Sequence, residues 1–327
     1  MAFFASFLIR RLAQAVVIVF LVTILIFAIL RIVPGDPVRL ILGPMATQET
    51  LDAMAARLGL NEPIIVQYTR YMKGVLHGDF GTSFIRPKSG QTTGGGRAND
   101  PTRLDRAEVI DLIAERLPLT LQLAGLAILF ALLISLPIGA LAGIYRMRLP
   151  DTIAILTSSV MVSLPNFWLG LVLALAVSIK LGWLPAVGYK GFSYAILPAI
   201  VLAIELAPIL IRSIGISLGT ALNESYVAMG EMRGLSRKRM IWRHAARNAS
   251  VPVLNLFGIQ IGTLLGGVLI IEFLFDYPGL GHLTISAVLQ RDFPLIQAIT
   301  ILISVIFVFV NMAVDFVSSL IDPRLEY

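Results

Sequence analysis

Residues 119–144 read LTLQLAGLAILFALLISLPIGALAGI, a stretch without one charged side chain. A helix of about 20 residues, rising about 1.5 Å per residue, crosses a hydrocarbon core of about 30 Å. This stretch is therefore long and apolar enough to span a membrane, and it has companions. Uncharged runs also cover residues 12–30, 153–179, 251–271 and 295–314, and a sixth candidate, 194–211, is broken by Glu205 and Pro208. The expectation is an all-α polytopic membrane protein with six transmembrane helices. Its parts are an N-terminal anchor helix over 1–30, a large outer segment over 31–118, and a core of five further helices over 119–320.

Composition agrees. The 327 residues are 57% hydrophobic and 14% charged, well above the apolar share of a soluble domain. The absence of Cys excludes a disulfide scaffold, a thiolate metal site and cysteine catalysis. The three histidines, His77, His244 and His282, lie far apart, so no metal site is expected. The net charge of +6 does not point to nucleic acid, because in a membrane protein the placement of charge matters more than its sum.

Placement sets orientation. With six spans, the short segments on one side carry 12 Lys or Arg, among them Arg10, Arg11, Arg146 and Arg148, against Lys180, Lys190 and Arg291 on the other. The positive-inside rule then puts both termini in the cytoplasm. Residues 31–118 fall outside by parity, and their own 11 basic and 10 acidic side chains do not count, since long translocated segments escape the rule.

In the outer segment, Pro34-Gly35-Asp36-Pro37 and Gly43-Pro44 mark turns, and helices are expected over 47–58, with Thr47 as N-cap, over 67–76 and over 105–116. Gly78-Asp79-Phe80-Gly81-Thr82-Ser83 is turn-rich. Residues 86–106, polar and holding Gly94-Gly95-Gly96, read as a flexible insert. In span five, Gly258, Gly262 and Gly266, with Gly267 beside them, flatten one helix face. That face serves packing inside this chain, or against a partner or a central path. Glu205 is the acid inside a predicted span, where a bare charge is costly, so it is either paired with an internal polar group, a neutral, protonated acid near an interface, or a proton-relay or substrate group.

Between spans four and five, residues 212–250 hold seven Lys or Arg and two Glu. Asn223 caps an expected helix over 224–233, Gly234 ends it, and Ser236 caps a second running to Ala246. Tyr226, Val227, Ala228, Met229, Leu235, Met240 and Ile241 would offer contacts, rimmed by Arg233, Arg237, Lys238 and Arg239. Two readings stand: a docking knob for another protein, or a basic hairpin lying on anionic lipid.

These residues carry a resemblance. Phe7-Leu8-Ile9-Arg10-Arg11-Leu12, Pro34-Gly35-Asp36-Pro37, Gly78-Asp79-Phe80-Gly81-Thr82-Ser83, Tyr226-Val227 through Gly234-Leu235-Ser236, Glu272, Pro278-Gly279-Leu280-Gly281 and Leu320-Ile321-Asp322-Pro323-Arg324 are similar to the DppB/OppB-type permease subunits of binding-protein-dependent ABC importers. Ala228-Met229-Gly230 departs from the family's Glu-Ala-Ala, leaving Gly234 as the fixed point of the coupling loop. The resemblance implies a type I importer permease in a bacterial inner membrane, moving dipeptides or oligopeptides, with nickel or glutathione as alternative cargo. It implies a paralogous permease, two cytoplasmic ATPase subunits carrying ATP and Mg, and an extracytoplasmic peptide-binding protein. It also places the route against the partner permease, where spans three, five and four meet.

The chain has no Gly-x-x-x-x-Gly-Lys-Ser/Thr cradle, so it is expected to bind no nucleotide and to be no enzyme. An ion-coupled transporter, with Glu205 as coupling acid, and a membrane scaffold recruiting cytosolic proteins through 212–250 are the competing classes.

Overall fold

The computed structural model describes residues 2–32, 37–42, 45–57, 59–88 and 106–321. Pro34, Gly35, Asp36, Gly43, Pro44 and most of the expected insert, 89–105, lie outside the described residues, as do 322–327.

Among the described residues, five helices are long and apolar enough to cross a bilayer: α1 (Ala2–Ile32), α5 (Val109–Ile144), α8 (Ser193–Leu222), a helix covering Arg237–Leu274, and α13 (Phe293–Ile321). The sixth expected span is a broken one. Its halves, α6 (Leu149–Ser163) and α7 (Asn166–Leu173, continued by π turns over Ala174–Lys180), meet at 94°. Pro165 explains the break. A proline forces the preceding residue out of the helical region, and Leu164 is extended, with φ −89° and ψ 122°. By contrast, Pro198 and Pro208 sit inside α8, and Pro252 inside the Arg237–Leu274 helix, without ending either.

The chain divides into two compact units. One comprises Met1–Arg11, Leu119–His282 and Ile306–Tyr327; the other comprises Leu12–Pro118 and Leu283–Val305.

In the first unit α8 is the central element, with two-thirds of its most apolar window buried. Leu197, Val201, Leu202, Leu206 and Leu210 of α8 pack with Leu123, Ala127 and Ala131 of α5 and with Leu264, Val268 and Ile271. Towards one end, α5 and α8 come close enough to exclude side chains. A Cβ on Gly139 would lie 2.9 Å from the Ile211 carbonyl oxygen, and one on Gly143 3.0 Å from that of Gly215. Small residues four apart on both helices thus bring the backbones together, where lipid supplies no hydrophobic drive.

The second unit contains α2 (Pro37–Leu42), α3 (Gln48–Arg57), α4 (Ile64–Leu76) and an antiparallel pair of strands, β1 (Thr82–Pro87) and β2 (Arg106–Glu108). Here the structure corrects the expected helix over 105–116: Arg106–Glu108 pairs with β1, and the helix begins at Val109. Its partner strand is tied down by a buried acid. Asp292, fully buried, accepts hydrogen bonds from the Ser83 hydroxyl and from the Phe84 N–H at 3.0 Å, so the strand is fixed at the start of α13. Arg86 and Arg106 both feel Asp292's charge. Burial pulls both guanidiniums below their ordinary pKa; for Arg86 the neighbouring Arg116 adds to this, and in both Asp292 opposes it. Within this unit Phe27, Tyr71, Phe80, Phe84, Phe293 and Gln297 line a hollow of about 350 Å3.

Candidate functional site: a helical knob, a two-helix seam and a buried clasp

The segment between the fourth and fifth spans is smaller than expected. The fourth, α8, runs on past Arg212 to Leu222, and the helix after Ser236 does not stop at Ala246 but continues as the fifth span to Leu274. Only residues 223–236 stand apart from the two long helices. They form α9 (Ser225–Met232) and a turn. Asn223 does not cap α9, as expected; its Nδ2 donates to the Gly219 carbonyl at 3.0 Å and finishes α8, while Glu224 takes the N-cap position.

The turn follows from Gly234. At φ +78° it occupies the left-handed region, which glycine enters without steric cost. Its N–H donates to the Glu231 carbonyl at 2.9 Å and the Leu235 N–H to that of Gly230 at 3.1 Å. This is the Schellman closure of a helix, with both bonds made. Ser236 stands at the N-cap of the following helix without a side-chain cap bond. Val227, Gly230, Met240 and Ile241 are buried, and a Cβ on Gly230 would lie 2.6 Å from the Met240 sulfur. Ala228, Met229, Arg233, Arg237 and Arg239 are exposed. Two large exposed side chains that sequence reasoning missed, Met232 and Trp242, join them. Their signal was available: they are large apolar residues amid the charges of 212–250.

The seam lies where α8 meets the fifth span. Tyr226 turns towards it, with Thr220, Glu224, Asn248 and Pro252 around a hollow of about 480 Å3. A second hollow of about 410 Å3 continues along Ile209, Arg212, Ser213, Ile216 and Leu256. Beyond it stands Glu205, whose Oε2 accepts a hydrogen bond from Asn166 Nδ2 at 3.0 Å. Arg212 donates to the Ser159 hydroxyl at 2.8 Å. The two charges of α8 are thus held by neutral groups on either side of the broken helix.

The glycine stripe divides. Gly258 faces Val314, Gly262 faces Phe307, and a Cβ on Gly267 would lie 2.8 Å from Glu205 Oε2, so three of the four serve packing inside this chain. Gly266 has nothing within 4 Å of where a Cβ would stand.

Glu205 is not the sole acid in the long helices. Asp315 pairs with Arg11 at 2.8 Å, and Glu272, fully buried, forms a clasp. It accepts from the Thr120 hydroxyl at 2.7 Å and from the N–H groups of Gly281 at 2.6 Å and His282 at 3.3 Å. The Thr120 oxygen in turn accepts from the Leu280 N–H at 2.7 Å. The carboxylate thereby occupies the N-terminus of α12 (Leu280–Gln290), where free N–H groups and the helix dipole favour negative charge. The Pro278-Gly279 motif lies against it: a Cβ on Gly279 would collide with the Glu272 carboxylate. The other quoted outer motif, Gly78-Asp79, closes α4. Gly78 has φ +80°, and Asp79 Oδ1 accepts from the Gly81 N–H at 2.8 Å. Of the Pro34-Gly35-Asp36-Pro37 motif, Pro37 alone is described, as the first residue of α2.

Helices long and apolar enough to cross a membrane, one of them broken, define a polytopic membrane protein. Comparison gives the family. Residues 135–327 match the model of the inner membrane component of binding-protein-dependent transport systems, and residues 4–124 match that family's N-terminal model. The chain belongs to this family of ABC importer permeases; it is a multi-pass inner-membrane protein and not an enzyme. It is 34% identical to the glutathione transport system permease protein GsiC of Salmonella paratyphi A (strain ATCC 9150 / SARB42) over 322 residues, 98% of this chain and 99% of that one. To GsiC of Escherichia coli (strain K12) it is 33% identical over the same length. An inward-facing structure of the MetNI methionine ABC transporter aligns with a TM-score of 0.56 at 16% identity, covering 65% of this chain and 97% of that one, a likeness of fold. Membership in this family sets aside the ion-coupled transporter and the scaffold.

Proposed function

We propose that this chain is a permease subunit importing glutathione or a closely related short peptide, in a complex driven by separate ATPases. The supporting observation is full-length similarity to glutathione permeases. It favours the glutathione alternative over the general dipeptide or oligopeptide cargo expected first.

In this reading a binding protein delivers the solute from outside, and a paralogous permease completes the route. Two ATPase subunits, holding ATP and Mg, grip the knob of residues 223–236 on this chain and its counterpart on the partner. Exposed Met229, Met232 and Trp242 supply apolar contact, while Arg233, Arg237 and Arg239 supply charge around it. Closure of the ATPase pair moves the knobs, and the helices attached to each follow as stiff rods. ATP turnover at one place is thereby coupled to solute access at another.

The test is ATP-dependent uptake by the assembled importer in proteoliposomes, with radiolabelled glutathione and dialanine as competing solutes. Saturable glutathione uptake that requires the ATPases and the binding protein is expected. Dialanine uptake unaffected by excess glutathione overturns the substrate assignment, and uptake without any ATPase overturns the mechanism.

A further inference from the structure

Glu205 and Arg212 are seven residues apart on α8, so they share a face and stand about 10 Å apart along the axis. Among the described residues neither has an ion-pair partner. Each is held by one neutral group, Asn166 or Ser159. Glu205 lies inside the span, where an ionisable group is costly to keep and by default marks a substrate or ion pathway, while Arg212 is exposed, seven residues nearer the knob. Ile209, midway between them on the same face, and Arg212 line the hollow that continues along the seam. An extended tripeptide spans about 10 Å between its charged ends.

We propose that Glu205 and Arg212 form a two-point seat for a short zwitterionic peptide on the import route. Glu205 takes the ammonium group and Arg212 a carboxylate. The hydrogen bond that Asn166 donates to Glu205 and the one that Arg212 donates to Ser159 hold the two side chains in place while the seat is empty. The seat selects for a solute carrying both charges at tripeptide distance, and it releases the solute towards the hollows beside Thr220 and Pro252. This inference rests on the peptide-import reading above.

The experiment uses the complete reconstituted importer with its binding protein. Initial uptake of glutathione is compared with that of N-acetylglutathione, which lacks the ammonium group, in wild type, Glu205→Gln and Glu205→Asp. The binding protein's own preference cancels when the ratio is compared between variants. The ratio is expected to fall about tenfold in Glu205→Gln and to hold in Glu205→Asp. Arg212→Gln should do the same to the ratio of glutathione to its glycine amide.

A second readout covers a binding protein that rejects the modified solutes. The chain has no Cys, so Ile209→Cys offers its only thiol. Glutathione activated as its 2-pyridyl disulfide exchanges with that thiolate and releases 2-thiopyridone. A mixed disulfide formed during turnover in Ile209→Cys, and lost when Glu205→Gln is added, is expected. Unchanged ratios, or equal trapping with and without Glu205→Gln, overturn the seat while leaving the import reading intact. A wild-type importer that takes up no peptide overturns both.

Discussion

At the scale of single residues, two glycines carry distinct burdens. Gly234 is required by conformation, since nothing lies within 4 Å of where its Cβ would stand. Gly234→Val forces a β-branched residue into the left-handed region at a cost of about 1–2 kcal/mol and weakens the Schellman turn. The expected outcome is normal assembly with more ATP hydrolysed per solute imported, measured in proteoliposomes; a wild-type ratio tells against the knob as the coupling element. Gly279 is required by space. Gly279→Ala drives a methyl group into the Glu272 carboxylate and should lower the melting temperature of the purified complex. Gly266→Ala, with open room around it, is expected to leave it unchanged. Glu272→Ala strands the N–H groups of Gly281 and His282 at about 1–3 kcal/mol each, and Glu272→Gln, which still accepts hydrogen bonds, should cost less. Gly234 was legible in the sequence because turn chemistry is local. The Glu272 clasp was not, since Thr120 lies 152 residues away from it and no spacing rule joins them.

At the scale of elements, what the sequence left hidden has a physical cause in each case. The helix over 47–58 was legible from the turn residues before it and from its cap, and α3 follows Thr47, whose carbonyl accepts from the Leu51 N–H at 3.0 Å. Strand β2 was not, because three residues with a remote partner carry no period of their own. The ends of α8 and of the fifth span were placed too early because charge was taken as a boundary, whereas a helix continues through water when its apolar face stays covered. The β1–β2 pair depends on Asp292. Asp292→Ala removes the acceptor for Ser83 and Phe84 and the opposing charge for Arg86 and Arg106. Faster cleavage of the outer segment by protease added to right-side-out vesicles is expected. Asp292→Asn keeps an acceptor and should lie between. Equal cleavage of all three forms would show that the strand is held by other means.

At the scale of the whole molecule, spans were the most legible feature, because hydrocarbon thickness imposes a length that no tertiary contact can alter. The count needed only the break at Pro165 to be understood. Side of the membrane is tested by single thiols in a chain that has none of its own. Met232→Cys, on a strongly exposed knob residue, should react with an impermeant maleimide only from the cytoplasmic side, and Leu76→Cys at the end of α4 only from the outer side. The reverse pattern would invert the topology and remove the knob from reach of any ATPase.

Because α8 and the Arg237–Leu274 helix run unbroken out of the knob, in the proposed mechanism they would act as lever arms. Thirty residues of α helix measure about 45 Å, so a swing of about 5° at the handle displaces the far tip by about 4 Å. That is enough to slide one ridge of side chains into the neighbouring groove. Gearing of this kind needs stiffness more than distance, and a hinge inserted midway along either arm, such as a pair of glycines, would let the engine idle while the gate stayed still.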